Sequence, residues 1–215
     1  MVDSGAFTNL YNKKTNPCTI QGYVNNLKKI GTGKYDYAIT FDTIYNAEKT
    51  YESFKWLEDK GIETIPVFHI TEPYKWLKKY IDEGYEYIAI SGVSEGSFRK
   101  QNDKFFKKCF AIGKDTHTKF HGLGVSNKWA ELPFYSIDNS NHTMLYRFGT
   151  AMDYKNNKIK YNTRKEYGVG RPIMYELIQA NVNNLYRNYK EIVKKKHRDY
   201  YHYFKDTVSL KEIMD

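Results

Sequence analysis

Several short apolar runs in this chain end on a residue able to do chemistry. Pro133-Phe134-Tyr135-Ser136-Ile137 ends on Asp138 and breaks into Asn139-Ser140. Ala38-Ile39-Thr40-Phe41 ends on Asp42, and Ile65-Pro66-Val67-Phe68 ends on His69. Tyr87-Ile88-Ala89-Ile90 ends on Ser91-Gly92, and Phe120-His121-Gly122 runs into Leu123-Gly124. Val2 ahead of Asp3-Ser4-Gly5 reads as the tail of one more such run. Two carboxylates on one face are the equipment of glycosidic-bond chemistry, one attacking carbon and the other moving a proton. Any one of these residues reads equally well as a loop entry with no chemistry. Their repetition makes Asp3, Asp42, His69, Ser91-Gly92 and Asp138 read together as one face.

They converge only if the runs are parallel strands. Short apolar strands ending in polar or glycine residues and separated by helical segments are what a parallel α/β fold produces. In a β/α barrel the carboxyl ends of the strands carry the active site. Between the runs, apolar residues keep helical spacing. Asn16-Pro17 predicts a helix start ahead of the stripe at 20, 23, 24, 27 and 30, which Gly31 and Gly33 end. Asn46 predicts a cap for a helix to about residue 59, with Tyr51, Phe54 and Leu57 on one face and Gly61 closing it. Thr71 predicts a cap for a helix burying Trp76, Leu77, Tyr80 and Ile81, and Phe98, Phe105, Phe106 and Cys109 mark the next. Strands are expected at 35–42, 62–69, 85–91 and 117–123, and a short helix at 126–132. After Asp138 the alternation weakens to short extended pieces near Tyr146 and Ile159–Tyr161, and from Pro172 the spacing is helical again. The count is about six βα units against the eight of a closed barrel. The fold expected is α/β: one domain over 1–215 built as a (β/α)8 TIM-type barrel, incomplete or lacking its first strand and helix at the N-terminus, with C-terminal helices.

Composition sets bounds on this picture. A chain of 215 residues with 40% hydrophobic and 17% aromatic residues suits one globular domain with a sizeable core. No stretch approaches the roughly 18 apolar residues that span a bilayer, and the N-terminus shows no signal-peptide pattern. Cys18 and Cys109 stand far apart and neither belongs to a CxxC pair, which fits a reducing, cytoplasmic setting and no structural zinc. The net charge of +9 is uneven: residues 151–215 hold 14 Lys+Arg against 8 Asp+Glu and are rich in tyrosine. A basic, aromatic segment suits a phosphate backbone with stackable bases, although a solvated lysine face or an A/T-rich genome gives a similar composition.

Asp3-Ser4-Gly5-Ala6-Phe7 resembles the DSGGF-type motif of tRNA-guanine transglycosylases, and more closely that of their phage and bacterial relatives that insert 7-deazaguanines into DNA. The resemblance continues in chain order. Phe41-Asp42 resembles the strand-end aspartate that reads the base, and Ser91-Gly92-Val93-Ser94-Glu95-Gly96 the GGLAVGE-type loop. His121-Gly122-Leu123-Gly124-Val125 resembles the LMGVG-type strand, and Tyr135-Ser136-Ile137-Asp138 stands where the nucleophilic aspartate is delivered. The matches span residues 3 to about 140. The family's zinc site of three cysteines and a histidine has no counterpart here, and His69 stands in place of its glutamine. Both departures favour the shorter, zinc-free relatives.

The resemblance implies a pentosyltransferase that exchanges guanine in nucleic acid, DNA rather than tRNA, for a 7-deazaguanine. Asp138 would attack C1′ as the purine leaves, and Asp3 would carry the proton. Asp42 would accept from N1–H and the amino group of a guanine-like base, rejecting adenine because a buried acceptor would go unpaired. Ser4, His69, Ser91, Gly92, Val93, Leu123 and Gly124 would complete the base pocket, with Tyr135 or Phe7 stacking on the base. Lys158, Lys160, Arg164, Lys165 and Arg171 would hold phosphates of a strand whose target nucleotide is flipped out. No cofactor, metal or membrane is implied. Two rivals remain open at this point: a barrel hydrolase using the same carboxylates on small-molecule sugars, and a degenerate barrel that only binds nucleic acid.

Overall fold

Alternation of buried aliphatic strands with amphipathic helices is the organising pattern. The structure is a computed structural model of the chain and describes residues 1–6, 17–31, 33–92, 101–125, 132–138, 150–155 and 158–163. The chain divides into two compact units, one of residues 1–123 with 134–136 and another of 124–133 with 137–215.

The first unit holds helices α1 (Ile20–Ile30), α2 (Ala47–Asp59), α3 (Lys75–Asp82) and α4 (Asn102–Gly113), alternating with β1 (Val67–His69), β2 (Tyr87–Ser91) and β3 (Lys119–Leu123). β4 (Ser136–Ile137) follows, and the sheet order is β1-β2-β3-β4. β1, β2 and β3 pair in parallel, with His69 opposite Ser91 and Ser91 opposite Leu123. Two single parallel bridges extend the pairing towards the N-terminus, Val2 to Ala38 and Ile39 to Ile65. Tyr135 N–H donates to Phe120 O at 2.9 Å, which starts β4 beside β3. Among the described residues, strand order therefore follows chain order without reversal.

Both faces of the sheet are apolar, as parallel strands require. Ile39, Ile65, Val67 and Ala89 form one buried cluster. The helices cover the opposite face. Tyr23, Val24 and Leu27 of α1 pack with Ala38 and Leu57, and aromatic rings fill the space under α4. Phe68 meets Phe105 at 5.6 Å, and Phe120 meets Phe110 edge-on at 5.4 Å. Cys109 on α4 is fully buried, and burial pushes its thiol far above the ordinary range.

Capping explains where the helices begin. The Asn46 side chain accepts from Lys49 N–H at 3.0 Å and opens α2 as expected. α1 starts later than expected: Thr19 caps it, accepting from Gly22 N–H at 3.1 Å, and Pro17 lies outside. Thr71 does not cap α3. That helix opens at Lys75 after Tyr74 with no side-chain cap, and among the described residues the buried Thr71 Oγ1 has no hydrogen-bond partner. The reason lies next door, where the Glu72 carboxylate turns back to accept His69 N–H at 2.9 Å and shapes the loop itself.

In the second unit, β5 (Thr150–Lys155) and β6 (Lys158–Thr163) form an antiparallel hairpin, with Asp153 opposite Lys160. The expected extended piece at Ile159–Tyr161 is the middle of β6; the strand before it was not expected. Residues 126–131 of the helix expected at 126–132, the helices expected beyond Pro172, the extended piece near Tyr146, and Phe98 lie outside the described residues. Among the described residues no helix is long and apolar enough to cross a membrane.

Candidate active site

Parallel strands point their carboxyl ends the same way, so the first unit gathers its strand-end residues along one edge: Asp3 and Ser4 after Val2, Asp42, His69, Ser91-Gly92 and Leu123. Three of them meet. Ser4 Oγ donates to Asp42 Oδ1 at 2.6 Å, and His69 Nε2 lies 2.9 Å from Asp42 Oδ2. All three are buried, at 2%, 7% and 3% exposure, so this is an interior network and not a surface ion pair. Each oxygen of the Asp42 carboxyl thus has one partner, Ser4 Oγ on Oδ1 and His69 Nε2 on Oδ2. The order serine–aspartate–histidine differs from a hydrolytic triad, in which the histidine stands between the other two and the serine is freed to attack. Here the serine donates to the carboxylate and also accepts Ala6 N–H at 3.2 Å.

Glu72 is a member that sequence reasoning missed. Its Oε2 accepts His69 N–H, and among the described residues its buried Oε1 has no hydrogen-bond partner. Burial raises its pKa above the ordinary carboxylate value, against the pull of His69. The signal in the sequence was a carboxylate three residues past a strand-end histidine. A second missed group lies deeper in the same face. Ser136 Oγ stands 2.5 Å from both His121 Nδ1 and the Tyr87 hydroxyl, and burial pushes the Tyr87 phenol up to about 12.

The remaining expected residues are placed as follows. Asp3 is exposed, and its Oδ1 accepts the N–H of neighbouring Ser4 at 2.8 Å. Asp138, also exposed, accepts Gly124 N–H at 2.8 Å within the second unit. Gly124 has φ of 61°, which spares that turn a side chain. Ser91 and Leu123 are paired neighbours, half-buried. Gly92 is close-packed for its own reason: a Cβ there would lie 2.8 Å from Asn102 Oδ1 at the start of α4. Tyr135 packs edge-on against Tyr87 at 5.3 Å. Lys158 and Lys160 are alternate residues of β6. Phe7, Val93, Arg164, Lys165 and Arg171 lie outside the described residues. Among the described residues, no group of three or more His, Cys, Asp or Glu could hold a metal ion.

A cleft of about 760 Å³ opens at the amino ends of the strands, lined by Tyr35, Tyr37, Glu63, Thr64, Tyr85 and Tyr87 among others. No strand-end residue named above lines it. Depth alone is a weaker guide than convergent polar groups, and the Ser4–Asp42–His69 edge carries those. No protein-family model matches the chain, no curated protein matches it, and no solved structure matches it.

Proposed function

We propose that this chain is a base-exchange transglycosylase of β/α-barrel type that replaces guanine in nucleic acid, DNA in preference to tRNA, with a 7-deazaguanine. The observation that carries the reading is the buried Asp42 carboxylate, gripped by Ser4 at 2.6 Å and His69 at 2.9 Å where parallel strands end in chain order. Each carboxylate oxygen accepts more than one hydrogen bond, so Asp42 keeps capacity for the adjacent N1–H and amino donors of a guanine edge. Ser4 and His69 fix its orientation. Adenine offers an acceptor at N1 and would leave a buried oxygen facing a lone pair.

Roles for the aspartates follow the sequence resemblance. Asp138 attacks C1′ as the C1′–N9 bond to guanine breaks, giving an aspartyl–sugar ester. Asp3 delivers a proton to the departing purine. The incoming base then gives its N9 proton to Asp3 as N9 displaces the ester and frees Asp138. Incubation with duplex DNA, tRNA and isotope-labelled 7-deazaguanine, followed by nucleoside mass analysis, tests this. Label entering one polymer with release of guanine is expected. No label in either polymer, with intact binding, favours the second reading, a barrel that only binds nucleic acid. That reading draws on Asp3 and Asp138 each accepting a backbone N–H, of Ser4 and of Gly124.

A further inference from the structure

Asp42 is followed by a turn tied down at several points. Thr43 N–H donates to Thr50 Oγ1 at 2.9 Å, and Asn46 N–H donates to Thr43 O at 2.9 Å. The Thr50 hydroxyl lies 3.2 Å from Thr43 O and 3.0 Å from Asn46 O. On this turn sits Tyr45 with φ of 69°, the only positive φ at a non-glycine position among the described residues. A bulky side chain is costly there, and glycine or asparagine is the usual occupant. Tyr45 is nevertheless 49% exposed, and among the described residues its ring and hydroxyl take no protein partner. The other exposed tyrosine among the described residues, Tyr37, at 42%, leans edge-on against Tyr87. Tyr45 thus presents a half-exposed aromatic ring on a fixed turn three residues beyond Asp42. Strain of this kind, retained by a well-bonded surround, collects at ligand clamps.

We infer that Tyr45 is a stacking platform for an unpaired nucleobase of the strand that carries the target nucleotide, an inference that rests on the nucleic-acid substrate proposed above. Flipping one nucleotide leaves its neighbours without a stacking partner. An aromatic side chain replaces that partner for any base, because every base has a π-face. A net charge of +9 draws the polyanionic strand to the protein.

The test is binding of the full chain to short labelled single-stranded DNA and RNA, and to abasic strands of equal length, by fluorescence anisotropy. Tyr45→Ala should bind base-bearing strands roughly tenfold more weakly, the effect of losing one stacked base. Tyr45→Phe should stay within about twofold, and abasic strands should bind wild type and Tyr45→Ala alike. Tyr45→Gly separates stacking from structure: it relieves the positive φ and should raise the denaturation midpoint, yet bind as weakly as Tyr45→Ala. Ala and Gly variants that hold base-bearing strands as tightly as wild type would overturn the inference. Wild type that binds no strand at low salt would overturn it together with the nucleic-acid reading. Loss of binding in Tyr45→Ala by a wild type that exchanges no base would support stacking and defeat only the exchange reaction.

Discussion

Asp138 and Glu72 are carboxylates with opposite prospects. Asp138 is exposed and accepts Gly124 N–H at the surface, so Asp138→Ala should fold while base exchange drops roughly 10³-fold or more. Exchange assays beside a melting curve decide it, and an aspartyl adduct still trapped in the variant would rule Asp138 out as nucleophile. Glu72 is buried, with its pKa raised above 4.5. The sign follows from linkage. Below that value both the folded and the unfolded chain hold the proton, and burial of the neutral acid costs little. As pH climbs past it, the unfolded chain releases its proton first, and the folded state loses stability until the folded carboxyl also ionises. Glu72→Gln removes this titration. Its stability relative to wild type should therefore improve as pH rises above the ordinary carboxylate range and level off once the folded carboxyl ionises, read as urea midpoints, and a flat difference would show that Glu72 ionises normally in the fold.

At the scale of elements, Gly113 sets two magnitudes against each other. Alanine in place of a helical glycine ordinarily gains about 0.5–1 kcal/mol. A Cβ on Gly113, however, would lie 2.7 Å from Phe120 Cε2, in a ring that is itself buried against Phe110. Overpacking of that kind costs about 1–3 kcal/mol, so Gly113→Ala should be net destabilising by denaturant titration, with the strand-end network left alone. The same elements show how far the sequence could be read. Asn46 was legible as a cap because capping is local chemistry, as was the burial of Phe54 and Leu57 at helical spacing. Thr71 was misread because Glu72 is pulled to the backbone of His69, a contact that local rules do not contain. Asn16-Pro17 looked like a start, but Thr19 sits one turn further on with an equally good oxygen. The first strand of the β5–β6 hairpin was missed for the complementary reason: its partner supplies the order that its own residues do not announce. For the site, each strand-end residue was visible one at a time. That Ser4 and His69 both close on Asp42 across separations of 38 and 27 residues could not be read from spacing.

At the scale of the molecule, most of the excess positive charge lies in residues 151–215, where 14 Lys+Arg stand against 8 Asp+Glu. If Lys158, Lys160, Arg164 and Lys165 grip phosphates, neutralising all four should weaken binding to every sequence about equally. The dependence of log affinity on log salt should flatten by roughly 0.9 for each contact removed on duplex DNA. If Asp42, in the other unit, reads the base as proposed, the guanine preference should survive unchanged. A salt titration of the quadruple variant that overlays wild type would move the phosphate grip off this segment.

Cys109 gives the fold an internal clock. Its sulfur is wholly enclosed beneath α4 and its thiolate is suppressed by burial, whereas Cys18 is only half-buried. An alkylating reagent must wait for α4 to lift before Cys109 can react, so its labelling rate times that opening event. Cys18, in the same tube, calibrates the reagent. Mass spectra taken across denaturant concentrations would then report how often the helix layer over the sheet opens without unfolding the whole chain, on a molecule that has been neither mutated nor tagged.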